Sequence, residues 1–365
     1  MGRASTAAVV RQPGDKFTLE AVELDDLHAG EVYVRIEAVG VCHTDMNMQQ
    51  VVPMPAVVGH EGAGTVEQVA PGVDYVKPGD RVMISWPGCG DCPSCAIGQN
   101  VVCDLQFPLL FGGRRKDGSQ TIKLSGEWIS GAFFQQSSFA TYAIAPAASL
   151  IRVEDADLPW EILAALPCGI MTGAGAVINS LGVSAMDDLM VLGVGAVGMS
   201  AVMAAHLVGA DPIIAVDIND DRLALALELG ATHAFNAKNE DVVARVKELV
   251  PRGLRFAFDT SGVPASWATA VRSLCMGGTF GAAAAPEAET LGFHPVEAFG
   301  KGLRVQFIMG GSATPRVFLP QLIKWYKQGR FPVDRLVKTF PFAEINTAFA
   351  ESHAGRAVKP VLLMK

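Results

Sequence analysis

The chain has 365 residues, 50% hydrophobic and 18% charged, which is enough apolar material for two packed cores and too much for disorder. A formal net charge of −8, with no basic run longer than Arg114-Arg115-Lys116, argues against nucleic acid or an anionic membrane as a partner. Residues 1–10 carry one arginine and no long apolar stretch, so no secretory leader is read and a cytoplasmic protein is expected.

From about residue 7 to 145 the sequence is β-rich. Residues 31–37 alternate apolar and polar side chains, the pattern of a half-buried strand. Residues 59–85 hold short Val-rich runs broken at Pro71-Gly72 and Pro78-Gly79. After about Pro167 short apolar runs alternate with helical patterns: 189–192 then 196–208, 213–216 then 220–229, and 256–258 then 265–274. Residues 279–282 and 305–308 read as further buried strands. This alternation predicts an α/β architecture, a doubly wound parallel sheet covered on both faces, beside the β-rich part. Residues 189–210 are apolar enough to suggest a membrane span. Gly193, Gly195, Gly198 and Gly209 interrupt that run and Asp211-Pro212 ends it, which favours a strand, a glycine turn and a buried helix. Helices at 315–328 and 342–352 and a strand at 357–363 are expected near the end.

Cys89-x2-Cys92-x2-Cys95-x7-Cys103 places four thiols in a Gly- and Pro-rich loop. That spacing suits a closed tetrahedral zinc site, structural because no coordination position stays open; unrelated buried cysteines and an iron–sulfur cluster are the alternatives. An odd total of seven cysteines speaks for metal or catalytic thiolates over a disulfide scaffold. Gly193-Val194-Gly195-Ala196-Val197-Gly198 follows an apolar strand and opens a helix, where glycines let the backbone approach a pyrophosphate. Asp217 ends the next strand, about 20 residues on, where a carboxylate accepts from ribose hydroxyls and repels a 2′-phosphate. NAD is therefore expected over NADP. The alternative is that the glycines serve packing and Asp217 caps a helix.

Cys42, His60 and Cys168 mean little singly, since each can be a buried core residue. Their settings are specific: Gly40-Val41-Cys42-His43-Thr44-Asp45, Gly59-His60-Glu61-Gly62-Ala63-Gly64 and Leu166-Pro167-Cys168-Gly169-x2-Thr172-Gly173. With the four-cysteine loop and the glycine motif, the chain resembles the zinc-dependent alcohol dehydrogenases of the medium-chain dehydrogenase/reductase family. Within that family it looks closest to the aryl-alcohol (benzyl-alcohol-like) and allylic terpene-alcohol dehydrogenases.

The resemblance implies a GroES-like β-rich catalytic domain over 1–169, completed by 309–365, and a Rossmann NAD-binding domain over 170–308. It implies two zinc ions per chain, one structural and one catalytic, the latter held by Cys42, His60 and Cys168. Thr44 would receive the alcohol proton, while Asp45 and Glu61 would orient the ligands and tune the metal. His43 would lie against the cofactor pyrophosphate, Arg222 beside the adenosine ribose, Lys359 near the phosphates and Thr172 at the nicotinamide. Trp86, Phe133, Phe134 and Met309 would line the substrate pocket, which suits bulky aromatic or allylic primary alcohols and their aldehydes. A homodimer or homotetramer through the edge of the Rossmann sheet is expected. Asn47 replaces the histidine that ends the proton relay in many relatives, so the proton must leave through His43 or solvent. A thiol-adduct formaldehyde dehydrogenase is the enzymatic alternative, and Phe107 stands where such relatives carry an arginine. A non-catalytic cofactor-binding relative would lack the ligand sets that are complete here.

Overall fold

A computed structural model describes residues 2–285 and 291–364. The chain divides into two compact units. One comprises residues 1–168, 314–321 and 333–365, and the other 169–313 and 322–332. The return to the first unit thus starts later than expected, because residues 309–313 stay with the second unit and residues 322–332 go back to it.

The first unit is built on two sheets. An antiparallel five-stranded sheet runs in the order Ala56–Val57, Arg3–Val10, Thr18–Leu24, Ile122–Leu124 and Glu127–Ile129. The second sheet has seven strands, and its long member Glu31–Gly40 pairs with Gly62–Val69, Tyr142–Pro146 and Lys359–Leu363. Apolar residues of Glu31–Gly40 (Val32, Val34, Ile36, Ala38, Val39) are buried, and this strand carries Cys42 just past its end. The last strand, Lys359–Leu363, lies antiparallel to it, so the distant end of the chain is part of the same sheet.

The second unit has six parallel strands in the order His233–Asn236, Ile213–Asp217, Leu189–Leu192, Leu254–Asp259, Leu274–Ala282 and Arg304–Phe307. Numbered along the chain that order is 3-2-1-4-5-6, with the reversal at Leu189–Leu192, where such sheets bind dinucleotides. Strand Leu189–Leu192 and helix Ala196–Val208 fall where the alternation of short apolar run and helical pattern places them. Strand His233–Asn236 and helix Val242–Leu249 were not expected; the former is short and carries polar residues at both ends. Met190, Leu192, Ile214, Val216, Leu254, Trp267 and Phe280 pack in one core cluster. Among the described residues one helical run, Trp160–Ser180, is long and apolar enough to cross a membrane, and 89% of its most apolar window is buried inside the fold. It reads as a core helix.

Candidate active site

Two groups among the described residues could hold a metal ion, and both lie in the first unit. In the first, the sulfurs of Cys89, Cys92, Cys95 and Cys103 all lie within 4.8 Å of one another, with Cys89–Cys95 and Cys92–Cys103 at 3.9 Å. A tetrahedron with metal–sulfur bonds of about 2.3 Å has edges of about 3.8 Å, so the cage already fits zinc. Backbone amides turn toward these sulfurs: Cys92 N donates to Cys89 Sγ and Cys89 N to Cys103 Sγ, each at 3.3 Å. Amide donation from the Asp104 and Cys95 backbone pulls the Cys92 thiol down to about 6, while burial pushes Cys95 up to about 12. The loop favours thiolate at Cys92 and disfavours it at Cys95.

The second group joins Cys42, His60, Glu61 and Cys168, whose ligand atoms also lie within 4.8 Å of one another. Cys168 sits in a π-helical turn, Leu166–Ile170, a local widening common at functional sites. His60 Nε2 lies 3.3 Å from Cys168 Sγ, and its Nδ1 donates to Asp45 Oδ1 at 2.7 Å. Asp45 Oδ2 in turn accepts from the Cys42 amide at 3.0 Å, so one buried carboxylate fixes two ligands at once. This fixes the tautomer that leaves Nε2 free for a metal. Burial alone would lower the His60 pKa, but the charge and hydrogen bond of Asp45 outweigh it and hold the imidazole well above its ordinary value. The Cys168 hydrogen bond takes the Cys42 thiol well below its usual range, which makes Cys42 the readier thiolate. The same contact and burial push Cys168 up. A buried donor set of two sulfurs and one imidazole, crowded this closely, needs a cation to stabilise it and fits zinc with one position left for an oxygen.

Glu61 stands closer to the ligands than expected, with a carboxylate oxygen inside the same cluster. A Cβ on Gly40 would fall 2.0 Å from Glu61 Oε2, so glycine there is what lets the carboxylate lie against the strand. Lys359 lies inside the first unit, beside Glu61. It is 2% exposed, and its ammonium bonds Glu61 and reaches the Val41 carbonyl at 3.4 Å. The physical reason is the unpaired cost of a buried carboxylate: burial pushes Glu61 up, and a neighbouring ammonium restores its charge. Thr44 is half-buried, with Oγ1 3.6 Å from Cys42 Sγ, while His43 and Asn47 are exposed.

Aromatic side chains surround the imidazole. Phe134 stacks on His60 with ring centroids 4.2 Å apart and planes at 23°, and Phe133 meets it edge-on at 5.7 Å. Trp86 meets Phe134 edge-on at 5.4 Å, and it also lines a cavity of about 240 Å³ with Cys95, Ile151 and Pro315. Phe134, Gln135 and Ser137 have φ of 50°, 55° and 45°, left-handed values that non-glycine residues adopt only when their surroundings enforce them. Here Ser137 Oγ accepts from Phe133 N and donates to Val57 O, and Gln135 Nε2 donates to Arg114 O at 2.7 Å. Gln136, which sequence reasoning missed, donates to His60 O at 2.9 Å and accepts from Gly62 N at 3.1 Å. It ties the ligand's backbone to this turn. Its partners are far away in sequence, so no local pattern marks it.

The remaining expected residues (Thr172, Gly193, Gly195, Gly198, Asp217, Arg222 and Met309) lie in the second unit. Gly193 has φ +82°, and a Cβ on Gly198 would fall 2.0 Å from Gly193 O. A Cβ on Gly195 would meet nothing within 4 Å, so the start of helix Ala196–Val208 faces open space, the cradle that a pyrophosphate needs. Asp217 Oδ2 accepts from Val194 N at 2.8 Å, and Oδ1 accepts from the amides of Ile218 and Asn219. Thr260 Oγ1 donates to Gly193 O at 2.6 Å and secures the turn from its other side. The Nε of Arg222 is buried without a partner among the described residues. Thr172 is 8% exposed, and Met309 is 45% exposed.

A dinucleotide cradle in one unit and a Lewis-acid site of mixed thiolate and imidazole in the other are the working parts of a metal-dependent dehydrogenase. Residues 28–155 match the alcohol dehydrogenase GroES-like domain, and residues 196–328 the zinc-binding dehydrogenase family. The geraniol dehydrogenase of Castellaniella defragrans is 41% identical over 99% of this chain and 98% of its own. Among solved structures, benzyl alcohol dehydrogenase from Acinetobacter calcoaceticus superposes with a TM-score of 0.95 at 38% identity, covering 100% of both chains. An alcohol dehydrogenase zinc-binding domain protein from Burkholderia ambifaria gives 0.96 at 45% identity, again covering 100% of both. The chain belongs to the zinc-dependent alcohol dehydrogenases of the medium-chain dehydrogenase/reductase family.

Proposed function

We propose that this enzyme oxidises bulky, unsaturated primary alcohols, aromatic or allylic, to aldehydes, reversibly, with NAD and two zinc ions per chain. The observation that carries the reading is the aromatic wall of Phe133, Phe134 and Trp86 built around the ring of His60. A planar ring or isoprenoid tail gains from apolar burial and offset stacking at such a wall, whereas ethanol offers one methyl group. The names of two relatives, geraniol and benzyl alcohol dehydrogenase, point the same way.

Zinc held by Cys42, His60 and Cys168 supplies Lewis acidity to an alcohol hydroxyl, and NAD supplies the hydride acceptor. Asp45 keeps His60 oriented and Cys42 in place. Thr44 takes the alcohol proton, and exposed His43 beside it passes the proton to solvent, since Asn47 has no basic nitrogen. Glu61 and Lys359 neutralise each other, so they add no net charge beneath the ligands. Asp217 accepts a ribose hydroxyl and selects NAD.

The cage of Cys89, Cys92, Cys95 and Cys103 holds the second, structural zinc. Seven free thiols, six of them in these two sets, support a reducing cytoplasmic compartment. The edge strand Arg304–Phe307, with Phe307 61% and Val305 42% exposed, supports a homodimer by sheet extension, with a homotetramer as the outcome that light scattering separates. The functional reading is tested by kcat/KM across ethanol, hexanol, benzyl, cinnamyl and geranyl alcohols and a hydroxymethyl-thiol adduct. Benzyl or cinnamyl alcohol should exceed ethanol at least about a hundredfold, or about 2.7 kcal/mol. A preference for ethanol or for the thiol adduct would overturn it.

A further inference from the structure

The second unit holds a cavity of about 440 Å³ that the dehydrogenase chemistry does not use. Its walls include Arg255, Phe256, Thr279, Arg304 and Gln306 from three neighbouring strands and Ser180 from the preceding helical segment. Thr279 pairs with both Phe256 and Arg304, and Gly281 with Gln306, so these side chains share one face of the sheet. Thr279 and Phe256 are in register with Leu189, the first residue of its strand, which puts the cavity at the level of the amino end of Leu189–Leu192. The glycine motif follows the carboxyl end of Leu189–Leu192, so the cavity opens at the opposite end of the parallel sheet from the dinucleotide cradle.

Arg255 precedes Phe256 on Leu254–Asp259, where the pairing register with Leu274–Ala282 shifts because the partner strand carries extra residues between Leu274 and Thr279, and Arg255 also borders the cavity. Its backbone amide is anchored on Asp188, and its guanidinium lies 5.7 Å from the Phe256 ring. Within one chain neither Arg255 nor Arg304 has a carboxylate partner among the described residues, although neighbouring Arg252 pairs with Asp188 at 2.9 Å; Arg304 stands on the edge strand that the proposed dimer extends, and its side chain points to the sheet face. Asp187 also borders the cavity, but its Oδ2 is occupied by the amide and hydroxyl of Ser184. Two guanidinium groups without a carboxylate partner, with the hydroxyl of Thr279, therefore give the hollow a positive excess over Asp187 in a chain whose net charge is −8, while the Ser180 hydroxyl is donated to Ser312 Oγ at 2.8 Å.

We propose that this hollow is an anion site for a phosphate group, free or carried on a small organic body, distinct from the dinucleotide cradle. Guanidinium forks recognise phosphate oxygens in pairs, which suits two arginines that have no competing carboxylate. The volume exceeds what phosphate alone fills, and Leu181 and Phe256 offer apolar wall for the rest of a phosphomonoester.

The test uses the full-length, zinc-loaded enzyme saturated with NAD, so that the cradle is blocked. Calorimetry and thermal melting are run with inorganic phosphate, glycerol phosphate and sodium chloride at matched ionic strength. Phosphate or its ester should bind at millimolar concentration or tighter and raise the melting temperature where chloride does not. Arg255→Ala and Arg304→Ala should each weaken binding at least about tenfold, and Arg255→Ala should leave kcat for benzyl alcohol in phosphate-free buffer unchanged. Tighter binding of glycerol phosphate than of phosphate identifies an organic ligand; equal binding identifies the free ion. A melting shift equal to that of chloride, or unchanged affinity in the double variant, overturns the proposal.

Discussion

His60 donates its Nδ1 hydrogen to Asp45 across 2.7 Å, and neither side chain is exposed to solvent. The other oxygen of Asp45 receives the Cys42 amide, so the carboxylate positions two candidate ligands from outside the donor cluster. Outer partners of this kind are worth about 10–100-fold in metal affinity or activity. Asp45→Ala should lower kcat/KM and catalytic-site zinc affinity together within that range, read by steady-state kinetics and by competition with a chromogenic chelator. Asp45→Asn keeps an acceptor and loses the charge, so it should fall between the two. A variant with normal zinc retention and normal turnover would show that the imidazole is held by the Phe134 stack and by the Gln136 tie on the His60 backbone.

The two cysteine sets should fail differently. Cys168→Ser should cut turnover by more than about a hundredfold while the protein stays folded and keeps one zinc per chain, since direct ligands matter more than their outer partners. Cys95→Ser should release the other zinc and lower the melting temperature by several degrees, each lost kcal/mol being worth about 2–4 °C in a unit of this size. Elemental analysis paired with thermal melting separates these outcomes. A wild-type content of one zinc per active chain would contradict the two-site reading.

What the sequence made legible follows from how local each signal is. The cage cysteines fall within one loop, and the glycine turn lies between a strand and a helix contiguous with it, so spacing alone announces both. Strands 189–192 and 213–216 are apolar throughout because they are buried on both faces, and their ends could be read nearly to the residue. His60 and Cys168 became legible only through their neighbours' resemblance to a family. Gln136, Gly40 and the inward turn of Lys359 were not legible at all. Each acts on a partner that only the folded sheet brings near, as when strand Lys359–Leu363 is laid beside Glu31–Gly40.

Asp217 holds the glycine turn and, in the proposed function, selects the cofactor, so its removal should show both effects. Its carboxylate accepts three backbone amides, from Val194, Ile218 and Asn219, which leaves one remaining direction for a ribose hydroxyl. The unmodified enzyme should prefer NAD over NADP by at least about tenfold in kcat/KM, or about 1.4 kcal/mol. Asp217→Ala should narrow that preference and also cost about 1–3 kcal/mol in stability through the unpaired amides. Asp217→Asn retains an acceptor for the turn and should separate the two effects: its stability stays closer to wild type while its NAD preference narrows. Equal use of NADP by the unmodified enzyme would show that another residue, such as Arg222, accommodates the phosphate.

Phe134 is the residue on which the substrate reading turns. It lies flat on His60, its backbone is held at φ 50°, and it is 2% exposed. If it forms part of the wall that an aromatic or allylic alcohol meets, shortening it should reduce selectivity more than it reduces chemistry. Phe134→Leu keeps most of the apolar volume and loses the flat face, so the benzyl-to-ethanol ratio of kcat/KM should fall at least about tenfold, or about 1.4 kcal/mol, near the upper range for one aromatic pairing. Ethanol turnover should fall much less, because the ligands and Thr44 are untouched. Phe134→Ala should go further but also destabilise, by about 3–5 kcal/mol, through the cavity it leaves against Phe111 and Phe133. The leucine variant is therefore the decisive one. Loss of stability with an unchanged substrate ratio would mean that Phe134 only packs the imidazole and that the wall selecting the substrate is built from other residues.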